Sequence, residues 1–424
     1  MGTAAAAGCR CPSGGRLPAL PSQPCPGEAA TIDATPPDLA SMGPACDGAA
    51  CILQRLPAPD ETYRRLDAAA CQCAAASNAT TANMIELERH WARVVIECDS
   101  RYVQRNVCLQ RDLLALQAAS LRNKAAGQAL TAFYTLAGLE ARRHYLELAI
   151  EETAASLARA ERLDELDLDQ GIDRSELETR LAAMRDQLLQ AEFARLQLNG
   201  QLQKLVGCEI SESDFFWPEW DWSSSAREVD VAAEVADGLA HRYDLRALQL
   251  TLCQLEKTTL RVARGVLAVV DGSLGSVEPT DGWIHRLRCI RCADAETPVR
   301  CEQLAAIFAD AERSATAEIK NAAYEIVLQQ HRLAAARDNV ALRRTRLAEL
   351  EARRDVDRVT VFALSRSRGQ LYEAEGQLIE QRIALELAQV KLKQAQGLLA
   401  LECGFVPLLC CEGSCCGACM RTCR

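Results

Sequence analysis

Leucine recurs at every seventh position from Leu364 through Leu371, Leu378, Leu385 and Leu392 to Leu399. A seven-residue apolar period keeps one seam facing a partner helix only if the helices supercoil left-handedly, so the pattern predicts long paired helices and no compact pocket. Ala374, Ala388 and Ala395 follow three residues after Leu371, Leu385 and Leu392, a narrow seam that lets the helices approach closely. An outgoing limb carries Ile326, Leu333, Val340 and Leu347 on the same period, and a charged turn around Arg353 to Asp357 separates the two limbs. The returning limb, about 46 residues at ~1.5 Å each, would be roughly 70 Å long.

A second copy lies earlier in the chain. Leu136, Leu139, Leu146, Ile150 and Leu157 form one limb, and Leu177, Leu181, Met184, Leu188, Ala191, Leu198, Leu202 and Leu205 form the other, with Arg195 the one charged intruder at a heptad position. Between them the acidic run Asp164 to Asp173 holds Gly171 and offers Asp173 as a helix N-cap, so the limbs turn there and run antiparallel. No proline falls between Pro59 and Pro218 or between Pro298 and Pro407, which leaves two long stretches without the strongest helix breaker. Met84 to Leu163 reads as uninterrupted helix.

Composition excludes several classes. Aromatics are 4% of the chain, as in helices packed through small side chains. The net charge of −10 comes from acids and bases mixed along helix faces, with no basic stripe for nucleic acid. No run reaches the roughly 20 apolar residues of a transmembrane helix. There is no phosphate-binding glycine loop, and His90, His144, His241, His285 and His331 are scattered without metal-type pairing. The chain therefore reads as a non-enzyme with no cofactor and no metal.

The 21 cysteines fit an oxidising compartment, and soft-metal binding is the competing reading. Cys289, Cys292 and Cys301 read as three thiols in one polar loop, and the dense run from Cys410 to Cys423 reads either as an oxidisable tail or as a thiolate metal site. Met1 to Cys9 lacks a basic n-region and a full h-region but ends Ala-Ala-Gly-Cys. That ending reads either as a bacterial lipobox with Cys9 acylated or as an alanine-rich terminus.

The pattern divides the chain into a Cys- and Pro-rich tail over 1–59, a helical repeat over 60–207, a crossover over 208–228, a second repeat over 229–404 and a Cys-rich tail over 405–424. The crossover gathers Phe215, Phe216, Trp217, Trp220 and Trp222 and is read as packing against the middle of the rod.

Two tandem helical hairpins joined by a crossover resemble the TolC-type outer-membrane efflux family. Val229-Asp230-Val231 through His241-Arg242-Tyr243-Asp244-Leu245-Arg246-Ala247 resembles the segment that opens the family's second repeat, with Tyr243 where proline is usual. Leu198 to Gly207 and Gln396 to Leu401 resemble the two places where the family's hairpins finish, and Tyr63, Leu66 and Asn78 to Asn83 fall where its first helix begins. The resemblance implies an all-α fold of duplicated antiparallel hairpins and a homotrimer closing a periplasmic tunnel. It also implies placement in the outer membrane or periplasm, with an adaptor protein and an inner-membrane pump as partners. By position it makes Asp169, Gln170, Gly171, Ile172 and Asp173, and Arg354, Asp355, Val356 and Asp357, the periplasmic turns that form an aperture or meet the adaptor. The same residues also read as solvated turn residues. The family inserts two membrane strands ahead of each hairpin, and no interval of alternating character stands in this chain for them, so little or no β-barrel is expected. The alternative is a non-conducting structural coiled coil of the envelope.

Overall fold

A computed structural model describes residues 29–30, 62–98, 101–166, 174–208, 214–222, 228–277, 285–353 and 360–409. Among the described residues there are three short strands: β1 (Ala29–Ala30), β2 (Thr62–Asp67) and β3 (Asp214–Glu219). The first half of the chain adds helices α1 (Ala68–Ser77), α2 (Thr80–Cys98), α3 (Arg101–Glu165) and α4 (Arg174–Val206). The second half adds α5 (Val231–His241), α6 (Tyr243–Cys253), α7 (Leu260–Val270), α8 (His285–Arg353), α9 (Val361–Gln396) and α10 (Leu398–Glu402). The fold is an all-α one of two long antiparallel hairpins, α3–α4 and α8–α9, with very little sheet.

The leucine ladder packs as its period requires. Leu371, Leu378, Leu385 and Leu392 of α9 share one buried cluster with Ile326, Leu333 and Val340 of α8, and Ala374 and Ala388 lie in the same seam. The ladder does not follow one helix to its end. Gly397 adopts a left-handed conformation (φ +82°) and caps α9, so α9 has 36 residues, or about 54 Å, not the expected ~70 Å. Leu399 belongs to α10 and is buried in a separate cluster with Leu130 and Val390.

Cross-helix contacts fix the registers. Arg174 pairs with Glu161, Arg143 with Glu192 and Arg195 with Glu140, so α3 and α4 run antiparallel. Arg142 pairs with Glu380, and Asn123 donates to the Gln394 carbonyl, so α3 and α9 do the same. Arg344 pairs with Glu375 and Arg368 with Glu351 across α8 and α9. The four long helices therefore lie side by side in the order α4, α3, α9, α8. No packing interface joins α4 to α8 among the described residues. They form an open layer with two free edges.

Two further expectations fail, each for a local reason. The stretch from Met84 to Leu163 is broken: α2 ends at Cys98, α3 begins at Arg101, and the two fold back on each other, with Arg122 bonded to Asn83 and Glu86. Asp99 and Ser100, between them, are the residue types that favour a helix start over continuation. Cys289, Cys292 and Cys301 lie in α8, not in a loop, and the helix runs through Pro298. One lost backbone hydrogen bond is offset where Leu304 packs with Leu248, Ala263 and Leu267.

The crossover is partly a strand. β3 pairs in parallel with β2, and β1 pairs antiparallel on the other side of β2. The outer edge of β3 is closed without another strand. The Phe216 amide donates to Asn199 Oδ1 at 2.7 Å, and Pro218, two residues on, has no donor to offer on that side. Trp222 then packs against Ala137, Ala141, Ile379 and Ile383, so the aromatic segment does pack against the middle of the rod.

The end of the second repeat is stitched to the start of the first. Cys73 and Cys403 form a disulfide, and Gln72 donates to the Leu399 carbonyl at 2.9 Å. Cys208 and Cys301 each take part in a further disulfide, with partners outside the described residues. Burial pushes the Cys71 thiol up to about 12. Replacing Cys73 and Cys403 by serine is expected to cost about 2–5 kcal/mol, read as a lower denaturation midpoint. In the native protein at pH 8, Cys71 is expected to stay unalkylated by iodoacetamide while half-exposed Cys108 reacts, as peptide mass spectrometry would show.

Candidate duct wall and its ends

The duplication is visible in the joints that set the hairpins. In the first repeat Asp67 caps α1, its side chain accepting from the Ala70 amide; in the second Asp230 caps α5 in the same way, accepting from Ala232 and Ala233. After each short helix one side chain crosses to the returning limb. Asn78 donates to the Lys204 and Leu205 carbonyls at the end of α4, beside Gly207 (φ +78°). Arg242 donates to the Ala395 carbonyl near the end of α9, beside Gly397. Both contacts satisfy carbonyls that a helix terminus leaves open. A Cβ on Gly207 would lie 2.5 Å from the Asn78 side chain, so that position accepts glycine only. Tyr243 occupies the first position of α6, the helix position that suits proline.

The layer also contains a buried polar hub. Arg195, only 2% exposed, pairs with Glu140 at 2.6 Å, donates to the Tyr63 hydroxyl and lies 4.2 Å from the Phe215 ring centroid. Asn199, one turn on, donates to the Arg195 carbonyl and holds β3. The charged intruder in the heptad thus fastens α3, α4, β2 and β3 together. Burial raises the Glu140 carboxyl above the usual carboxylate range, against the opposing pull of Arg195 and Arg143.

Towards the turns a second polar junction links both hairpins. Arg368 of α9 reaches Glu351 of α8 at 2.9 Å and Glu152 of α3 at 3.8 Å, and Ser156 of α3 bonds Ser365 of α9. Hydrogen bonding to Glu351 raises the Arg368 pKa further. Nothing in the sequence marks this residue's role, because its partners lie on two other helices. The proposed turn residues Asp169, Gln170, Gly171, Ile172 and Asp173, and Arg354, Asp355, Val356 and Asp357, lie outside the described residues, as does Cys9. The helix ends Glu165 and Arg174, and Arg353 and Val361, flank the two turns.

Each free edge of the layer carries an apolar stripe. On α4, Leu189, Phe193 and Leu196 recur at helical spacing and are 70%, 62% and 56% exposed. On α8, Tyr324, Leu328 and Leu342 are likewise exposed. Exposed apolar side chains collected along a helix mark an interaction surface more often than chance. Among the described residues no helix is long and apolar enough to cross a membrane, and no three His, Cys, Asp or Glu side chains are placed to hold a metal ion.

This fold of two duplicated long helical hairpins matches the helical fold of TolC-like outer-membrane channels. Three solved structures illustrate it. The outer-membrane channel CmeC of Campylobacter jejuni matches with a TM-score of 0.53 at 12% identity, over 70% of this chain and 67% of that one. The outer-membrane channel OprN matches with a TM-score of 0.53 at 16% identity, over 70% and 71%. The outer-membrane protein VceC of Vibrio cholerae matches with a TM-score of 0.50 at 15% identity, over 70% and 75%. No family model and no curated protein matches the sequence. At these identities the likeness is one of fold.

Removing the Arg195 charge leaves Glu140 buried without its cation, so Arg195→Met is expected to cost about 3–5 kcal/mol near neutral pH. A carboxyl whose folded pKa lies above its unfolded value destabilises the fold above the folded pKa, and that penalty is relieved as pH falls through it. The variant's deficit should therefore shrink between pH 8 and pH 5 in denaturant titrations. Arg195→Met with Glu140→Leu should recover most of it.

Proposed function

We propose that this chain is a wall segment of a TolC-like exit duct in a cell-envelope efflux or export system, three copies closing one helical tunnel. The observation that carries this reading is the open layer with two unlike apolar edges. A layer whose edges differ joins head to tail, α4 of one copy against α8 of the next, and such contacts generate a ring when the rotation closes.

The two edges match in height. The registers from Arg143–Glu192, Arg142–Glu380 and Arg344–Glu375 put Phe193 of α4 level with Leu342 of α8 to within a helical turn. They also bring Asp186 level with Arg346, and Arg185 level with Glu349, so the charges on the facing edges are opposite in sign. The turns at Asp169 to Asp173 and Arg354 to Asp357 would then form the periplasmic mouth, where an adaptor protein of an inner-membrane pump docks, and Arg368 would hold the two hairpins together just above it. Disulfides within the fold support an oxidising envelope location. No catalytic step belongs to this reading.

A second reading, a non-conducting coiled-coil protein of the envelope, draws on the α2–α3 corner. Cys98 and Arg101 are separated by two residues, which leaves no room there for the strand pair that TolC-type channels insert. Conductance across a planar bilayer decides between the two: discrete channel openings support the duct, and a silent trimer supports the structural protein. The duct also needs the ring. Leu189→Asp with Phe193→Asp is expected to convert the trimer into a folded 46.3 kDa monomer in sedimentation. A wild-type chain that sediments as a monomer would refute the ring.

A further inference from the structure

The upper end of the α4 edge contains a cleft of about 300 Å³. It opens where α4 stops, between the α1–α2 joint and α3. Its floor is formed by Ala79, Ala82, Leu121 and Ala125, and its rim carries Lys124 and Lys204. Among the described residues no carboxylate lines it and neither lysine has an ion-pair partner.

On the opposite edge of the same layer, Tyr324 of α8 projects with 57% of its surface exposed. Its height follows from the helix registers. The Arg344–Glu375 pairing, extended up the α8–α9 hairpin, sets Tyr324 beside Ala395. The Asn123–Gln394 hydrogen bond sets that level of α9 beside the stretch of α3 that walls the cleft. Tyr324 and the cleft therefore stand at one height on opposite edges, to within about a turn. A tyrosine side chain fits easily within the cleft volume. Glu325, next to it, accepts from the Gln329 amide through one carboxylate oxygen and has a second oxygen to offer.

We propose that Tyr324 of one copy seats in the α1–α2 cleft of the next copy of this chain, with Glu325 meeting Lys204 and Lys124 at the rim. This contact rests on the ring proposed above and locates a specific knob within it. An aromatic anchor in a pocket at the edge of a long coiled-coil seam fixes the vertical register between copies, which a repeating leucine and alanine surface leaves free to slip by a heptad. The charges at the rim oppose each other only at the correct height.

Two photocrosslinking substitutions in the full-length assembled protein separate this contact from the ring itself. Benzoylphenylalanine in place of Tyr324 is expected to crosslink to peptides spanning 75–82, 121–128 or 204–205 of a different, isotopically distinguished copy. The same residue in place of Phe193 is expected to crosslink to α8 of a different copy. If position 193 crosslinks between copies and position 324 does not reach the cleft, the knob is refuted and the ring stands. If neither crosslinks between copies, both fall. A charge test adds an independent reading: Lys204→Glu is expected to raise the ring's dissociation constant about tenfold, and adding Glu325→Lys should restore it. Additive losses in the double variant would contradict the rim contact.

Discussion

Everything in this fold depends on α9 being buried along two flanks at once. One flank carries the leucine ladder toward α8. The other carries Ile379, Ile383 and Val390 toward α3. A helix in a closed four-helix bundle has one apolar stripe aimed at a common core. Two stripes on different sides of a helix instead place its neighbours on either hand, and the result is a layer. The layer has edges, and the edges are what make assembly the physical expectation for this chain.

The same logic explains where polar groups sit. A layer only one helix thick has little volume for a central core, so its long seams are reinforced by charged pairs at intervals: Arg195 with Glu140, buried on both sides, and Arg344 with Glu375, whose carboxylate is buried. Pairs of this kind contribute little net stability compared with well-packed apolar residues, but they penalise any register in which one partner is left alone. In a wall of repeating leucine and alanine, that penalty holds the sliding helices in one alignment. The joints serve the same purpose. Asn78 and Arg242 tie each short helix to the end of a returning limb, so the two hairpins finish at heights fixed by the chain itself.

Much of this was legible in the sequence because it depends on local periodicity. The ladder from Leu364 to Leu392, the matching limb from Ile326 to Val340 and the small residues Ala374 and Ala388 all lie where a seven-residue repeat puts them. The α2–α3 corner was less visible, since Asp99 and Ser100 mark a helix start only weakly and no proline or glycine accompanies them. The strand Asp214–Glu219 was hidden for another reason: its partner is Thr62–Asp67, far away in the chain, and six residues with one proline give no alternating signal. Of the functional surface, Arg195 stood out as a charge in a heptad position, whereas Arg368 did not, because its partners lie on two other helices. The edge residues Phe193 and Tyr324 look like ordinary helix residues until the order of the four helices is known.

The central claim is that the layer closes on itself through its edges. An end-on image reconstruction of the assembled protein tests it most directly. The account predicts a threefold ring of twelve rods of density, four from each chain in the order α4, α3, α9, α8, with α4 of one copy beside α8 of the next. A particle in which the layers stack face to face, or in which each chain stands alone with its edges open to solvent, would contradict it.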